Sequence, residues 1–476
     1  MSIDRSEVKR IVEEVLRRYA AEPAAATPSS SSAMRSRGIY DTIDACLEAA
    51  SSSQKQLIGL SLETRKAIVQ AMRQTALDNA QLLADMAHAE TGLGRPEDKV
   101  RKNILQATKT PGPEDLESTV FTGDRGLTLV ERAPFGVIGS ITPSTNPGAT
   151  IINNSISMVS AGNGIVFNPH PSAKRVCLRA IDMLNEAIAK AGGPPTLLTS
   201  VREPNLDTSN ALMAHPGIRT LVVTGGGAVV KAALKSGKRA ICAGPGNPPV
   251  VVDETADLDL AAREIVNGSS FDNNIMCTCE KEAFVVDRVF NDLRSRMKSN
   301  HCHELTPREL DLVMRAVFPP LAAGQTRAVV NKDLVGKNAA VIAKAAGLDV
   351  PSETRLLVAE VNADHPLVQT EQLMPVFPMV RVRDVRDAIE AAIQAEHGYN
   401  HTAVMYSRNL ENLSTMAAAV ACTLFVKNGP NYSSLGFGGE GFTTMTIAGT
   451  TGEGPTSAVT FTRPRRCTLV DYFKIV

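Results

Sequence analysis

LVVTGGGAVVKAALKSGK, residues 221–238, reads as a strand, a glycine turn and a helix in succession. That order sets the free N–H groups and the positive end of a helix at a strand's carboxyl edge, where a dinucleotide phosphate binds well. Three glycines do not make the G-x-G-x-x-G fingerprint, so the turn alone leaves a plain tight turn open. Working outward, the same alternation recurs. FGVIGSIT, GIVFNP, IRTLVVTGGG and PPVVVDE are short apolar runs, and segments such as LETRKAIVQAMRQTALDNAQLLADMAHAETG are helical in period. The expected fold class is α/β with parallel sheets.

At 476 residues the chain is too long for one hydrophobic core and suits two or three domains. Lys+Arg and Asp+Glu number 50 each, so no net field draws a polyanion, and neither nucleic acid nor membrane is the expected partner. No apolar run of membrane-spanning length occurs, and the reading is a soluble, intracellular protein that takes a small molecule. The eight cysteines show no framework spacing and suit a reducing compartment. His301-Cys302-His303 lacks a second ligand pair, so no metal is expected. Residues 1–20, MSIDRSEVKRIVEEVLRRYA, set Val8, Ile11, Val12, Val15, Leu16 and Tyr19 on one helical face. A flexible linker, 21–38, tethers this helix, which either docks into a partner's groove or folds back on its own chain.

The chemistry centres on FDNNIMCTCEKE, 271–282, where Cys277 and Cys279 lie one residue apart. A thiolate attacks carbonyls and needs a donor for the oxyanion it creates. Asn146, in ITPSTNP at an expected helix entrance, is such an amide, or else a helix cap.

These stretches, with INNSISM, NPHPSAK, AGPGNPPVVVDETADL, SFDNNIMC, EQLMPV, FVKNGP, GGEGFTTMTIA and TGEGPTSAVTF, resemble the aldehyde dehydrogenase superfamily. Within it, they resemble the CoA-acylating aldehyde dehydrogenases of bacterial microcompartments. The resemblance covers nearly the whole chain after the linker. It implies that Cys277 is the nucleophile, that Asn146 and the Cys277 N–H hold the oxyanion, and that Cys279 is a buried bystander. It also implies cofactor contacts from Thr142, Pro143, His170, Pro171, Ser172, Thr224, Gly225, Gly226 and Glu371. The cofactor is NAD, with NADP left open because His170 and Ala173 replace the Lys and Glu of a KPSE motif. CoA is the cosubstrate, reusing the cofactor cleft. Hydrolytic members carry a water-activating glutamate where this chain has Ala243, so the acyl-enzyme waits for a thiol.

The implied architecture has a Rossmann-like cofactor domain (39–116 and 136–245), an α/β catalytic domain (246–449) and a small β oligomerisation arm (117–135 and 450–476). The expected assembly is a homodimer or homotetramer. The expected substrate is a short aliphatic aldehyde, propionaldehyde before acetaldehyde. Residues 1–20 become an encapsulation helix that meets a shell protein inside the microcompartment lumen. A hydrolytic dehydrogenase and a catalytically silent shell-binding protein are the alternatives.

Overall fold

The computed structural model describes residues 37–320 and 328–473. The amphipathic segment 1–20 lies outside them, as does all of the linker except Arg37 and Gly38. Gly38 adopts φ +84°, and a Cβ there would lie 2.2 Å from the Leu198 carbonyl oxygen, so only glycine lets the chain enter the sheet at this point.

Eight strands form in the first half: β1 (Ile39–Tyr40), β2 (Thr119–Gly123), β3 (Gly126–Pro134), β4 (Val137–Thr142), β5 (Gly164–Pro169), β6 (Leu198–Val201), β7 (Thr220–Thr224) and β8 (Arg239–Ala243). The second half adds β9 (Pro249–Val252), β10 (Glu282–Val286), β11 (Cys302–Glu304), β12 (Leu356–Val361), β13 (Val376–Val382), β14 (Thr402–Tyr406) and β15 (Leu424–Lys427). Two short strands, β16 (Ile447–Ala448) and β17 (Gly454–Pro455), precede β18 (Thr462–Val470).

A six-stranded sheet runs β1-β6-β5-β4-β7-β8, and a seven-stranded sheet runs β11-β12-β13-β10-β9-β14-β15. Every pairing within these two is parallel. Both are covered on both faces, which is why their strands are continuously apolar rather than alternating. In the first, Ile138, Ile165 and Phe167 pack with Ile151, Ile156 and Ile181. Its other face sets Val137, Val166, Leu221 and Val223 against Ile43 and Leu47. In the second, Val250, Val252 and Val285 meet Ile265 and Phe290, and Val251 and Phe284 meet Ile389 and Met416.

The opening stretch folds as read: β7 ends at Thr224, Gly226 caps, and a helix spans Gly227–Lys235. The long periodic run after residue 61 is two helices, Leu62–Asp78 and Ala80–Thr91. They part at Asn79, whose Nδ2 turns back to donate to the Thr75 carbonyl at 2.8 Å.

A three-stranded antiparallel sheet, β18-β3-β2, stands apart from both parallel sheets in topology. Thr128 and Thr468 face each other across it with their hydroxyls 3.0 Å apart. Residues Ala458–Phe461 form a short 3-10 turn, because Ser457 and Thr460 close a reciprocal capping box ahead of β18.

Candidate active site

In the six-stranded sheet the chain runs from β4 through β5 to β6 on one side and then crosses back to β7 on the other, so the strand order reverses at the β4–β7 boundary. Ligands of open α/β sheets bind beyond the carboxyl ends at such a switch point. A cleft of about 720 Å³ opens there. Thr142, Pro143 and Asn146 beyond β4, His170 and Pro171 beyond β5, and Thr224, Gly225 and Gly226 beyond β7 line one side. Cys277 and Glu371 line the other. Ser172 is not in the wall. Its hydroxyl stands 2.8 Å from His170 Nδ1, in an exposed turn that His170 caps by accepting from the Ser172 N–H.

The cleft suits a dinucleotide. Its size falls in the range of pockets that enclose cofactor-sized ligands. The helix Gly227–Lys235 begins at its rim, and no side chain caps that N-terminus. Burial lowers the pKa of His170, which favours its neutral ring.

Cys277 follows the helix Leu258–Ser270 through a contorted loop. Asp272, Asn273 and Asn274 all have positive φ, 45°, 55° and 65°. Three consecutive non-glycine residues in that region cost free energy, and side chains hold them there. The Asp272 N–H donates to Asp98 at 2.9 Å, and its carboxylate accepts from the Arg95 N–H, Lys99 and Lys102. Asn273 donates to the Gly336 carbonyl at 2.9 Å. Asn274 donates to the Ser269 and Glu280 carbonyls. Buried Lys281 donates to the carbonyls of Asn274 and Met276 at 3.0 and 3.2 Å. The result presents Cys277 to the cleft, partly exposed.

Burial pushes the Cys277 thiol up to about 12, the nearby Glu371 charge adds to this, and Lys281 opposes it. Cys279 faces away, fully buried, with its sulfur 3.7 Å from the Phe271 carbonyl. Geometry thus separates the two cysteines that sequence spacing could not.

Asn146 is the residue before the helix Pro147–Ser160, yet its side chain makes no capping bond. Its Nδ2 donates to Thr145 Oγ1 at 3.1 Å and its Oδ1 accepts from Lys102. Among the described residues lining the cleft, Glu371 is the one carboxylate. Burial raises its pKa, and its Oε1 accepts from the Gly246 N–H at 3.2 Å. Ala243 ends β8 and is buried, its carbonyl accepting from the Gly225 N–H at 3.1 Å.

Two residues of this neighbourhood escaped sequence reasoning. His401 is buried just ahead of β14, with Nδ1 2.8 Å from Thr402 Oγ1 and Nε2 without a partner. Burial depresses its pKa to about 4, so the ring is neutral. Its ring and the Cys277 carbonyl both crowd Gly246: a Cβ there would lie 3.0 Å from His401 Cγ and 2.6 Å from that oxygen. Lys102 lies on the helix Pro96–Lys109, whose buried face carries Asp98, Lys99, Lys102, Asn103 and Gln106. A helix that turns polar side chains inward at i, i+4 spacing was the available signal.

Beyond Cys277, Phe271, Tyr432 and Phe437 form a cluster with ring centroids 5.1 to 6.1 Å apart. With Met276, Leu435 and Met445 they close on a void of about 10 Å³.

The sequence profile of the aldehyde dehydrogenase family matches residues 26–446. The chain is 49% identical to the acetaldehyde dehydrogenase (acetylating) EutE of Escherichia coli strain K12, over 100% of both chains. Its fold matches a propionaldehyde dehydrogenase from the fucose utilisation bacterial microcompartment of Clostridium phytofermentans. The TM-score is 0.90 and the identity 45%, with 92% of this chain and 100% of that one covered. It also matches a Rhodopseudomonas palustris propionaldehyde dehydrogenase with bound CoA and an acylated cysteine. There the TM-score is 0.89 and the identity 46%, over 92% and 99% of the two chains.

Proposed function

The chain belongs to the aldehyde dehydrogenase family, and from that footing we propose how its cleft oxidises an aldehyde and hands the acyl group to CoA. It is a CoA-acylating aldehyde dehydrogenase for a short aliphatic aldehyde, using a nicotinamide dinucleotide. The dinucleotide, when bound, accepts hydride. Thr142, Pro143, His170, Pro171 and the Thr224–Gly226 turn would hold it, and Glu371 its nicotinamide ribose.

The Cys277 thiolate, formed by loss of the thiol proton to solvent, attacks the carbonyl carbon and forms a thiohemiacetal. Asn146 Nδ2 and the Cys277 N–H take the negative oxygen, and loss of hydride leaves a thioester on Cys277. The thioester then meets a thiol. In the exchange the acyl group passes from Cys277 to the CoA sulfur, and the thiol proton passes to the released Cys277 sulfur. Both substrates using one cleft in turn gives ping-pong character.

The observation that carries this reading is Ala243. A methyl group ends β8 where hydrolytic relatives are expected to hold their base, and Glu371, engaged with Gly246, is the one cleft-lining carboxylate among the described residues. The test is enzyme mixed with dinucleotide and propionaldehyde, followed by reduced cofactor. A burst of about one equivalent per site that stalls until CoA is added is the expected result. Steady turnover without CoA would sink the acyl-transfer reading.

Met276, Leu435, Met445 and Ile447 line the cleft together with Cys277, an apolar wall that supports a short alkyl chain. We favour propionaldehyde. Acetaldehyde is the second reading, supported by the 49% identity to an acetylating enzyme, and one methylene gives only modest discrimination. The arm supports a homodimer or homotetramer, because β2 and β18 are exposed edges carrying exposed Val120, Phe121 and Val470. Likeness to a microcompartment enzyme supports residence in a microcompartment lumen, with residues 1–20 docking on a shell protein. Deleting 1–20 should leave activity intact and abolish co-purification with shells; retained co-purification would refute the docking.

A further inference from the structure

We propose that Lys102 is a positioning residue: its buried ammonium fixes the Asn146 amide with Nδ2 toward the cleft, and through Asp272 ties that amide to the loop bearing Cys277. The proposal rests on the reading of Asn146 as the oxyanion donor.

Three observations carry it. First, a lysine ammonium has three donors and no acceptor, so the Asn146 atom that meets it must be the carbonyl oxygen. An amide is nearly symmetric in shape and otherwise flips easily, which here would present Oδ1 to the oxyanion and repel it. With Oδ1 held, Nδ2 is directed the other way. One of its hydrogens goes to Thr145 Oγ1 at 3.1 Å and the second is left for the cleft that Asn146 lines. Second, Lys102 is 2% exposed and Asp272 fully buried, so this is not a solvated surface pair that forms and breaks freely. A cation on the carbonyl oxygen also polarises the amide and strengthens its N–H as a donor in a low-dielectric site.

Third, the same ammonium binds the carboxylate of Asp272, five residues before the nucleophile and the first of the three left-handed residues. Lys99 reaches that carboxylate too, at 3.2 Å, but no hydrogen bond joins it to Asn146. Among the described residues, Lys102 alone hydrogen-bonds both Asn146 and the nucleophile's loop. Nucleophile and donor come from loops 131 residues apart in sequence, and one side chain sets their separation.

The experiment is a double-mutant cycle on the rate of the CoA-independent burst, with K102M, N146A and the double variant. K102M should slow the burst on the order of 10- to 100-fold, the scale of a misplaced catalytic group, and Lys102→Arg should recover part of it. In the N146A background K102M should slow the burst far less than it does in the parent enzyme, since with the amide gone only the tie to the Cys277 loop remains to be lost. Equal slowing by K102M in both backgrounds would overturn the proposal, as would a wild-type burst in K102M alone. A wild-type burst in N146A would overturn the oxyanion reading, and the proposal with it. Should K102M fail to fold, the cycle is run with K102M/D272N, which removes the carboxylate left short of a partner.

Discussion

Replacing Gly246 by alanine adds one methyl group against the Cys277 backbone. Gly246 is not among the positive-φ glycines, so alanine meets no backbone objection there. The objection is contact. The new Cβ would sit 2.6 Å from the Cys277 carbonyl oxygen, about 0.8 Å short of ordinary contact at 3.4 Å, and 3.0 Å from His401 Cγ. Neither neighbour gives way easily: one is backbone in a strained loop, the other a ring buried at 2% exposure. Overpacking of this kind costs about 1–3 kcal/mol of stability. The functional cost should be larger in proportion, because a catalytic group moved by about 1 Å loses on the order of 100-fold in rate. The assay is stopped-flow formation of reduced cofactor with propionaldehyde, paired with a melting curve. G246A should show a burst on the order of 100-fold slower with a modestly lowered Tm. A burst at the wild-type rate would refute the reasoning, for it would mean that Cys277 does not depend on the backbone position Gly246 permits.

The pH dependence of the burst follows from the thiol. Burial disfavours the thiolate and the Glu371 charge does so further, so with the thiol pushed up to about 12 the reactive fraction should rise about tenfold per pH unit between about 7 and 9. A rate flat across that window would show the thiolate already formed. Ala243→Glu should install a carboxylate at the end of β8, beside Gly225, and give slow turnover without CoA, at a stability cost of about 1–3 kcal/mol for enlarging a buried side chain. CoA-independent turnover no higher than in the parent enzyme would mean that the missing base is not what protects the thioester.

Much of the framework could be read from the chain because it is local. Continuous apolar runs between helical periods announce buried parallel strands, and residues 221–238 carry a complete strand, turn and helix with their caps. Asn146, Cys277 and Glu371 were found by motif, and all three line the cleft. What escaped reading is what only tertiary structure assembles. Lys102 meets Asp272 from 170 residues away, and on the helix Pro96–Lys109 it resembles any charged surface position until the helix is seen to bury that face. His401 has no informative neighbours in sequence, because what marks it is an unpartnered Nε2 in a buried site. The long helical run divides at Asn79, with no proline or glycine to announce the break.

The antiparallel arm has a consequence for how the chain is made. Its central strand, β3, is synthesised early, and β18, which supplies the longest pairing, emerges from the ribosome some 340 residues later. During that interval the β2–β3 hairpin waits with a whole edge of unpaired N–H and carbonyl groups and with Val120 and Phe121 uncovered. Every nascent chain on a polysome carries the same sticky ribbon, so neighbouring ribosomes translating one message bring identical edges together before either is complete. The last strand is therefore more than a finishing piece: its arrival ends a long window in which the growing polypeptide carries an open β edge.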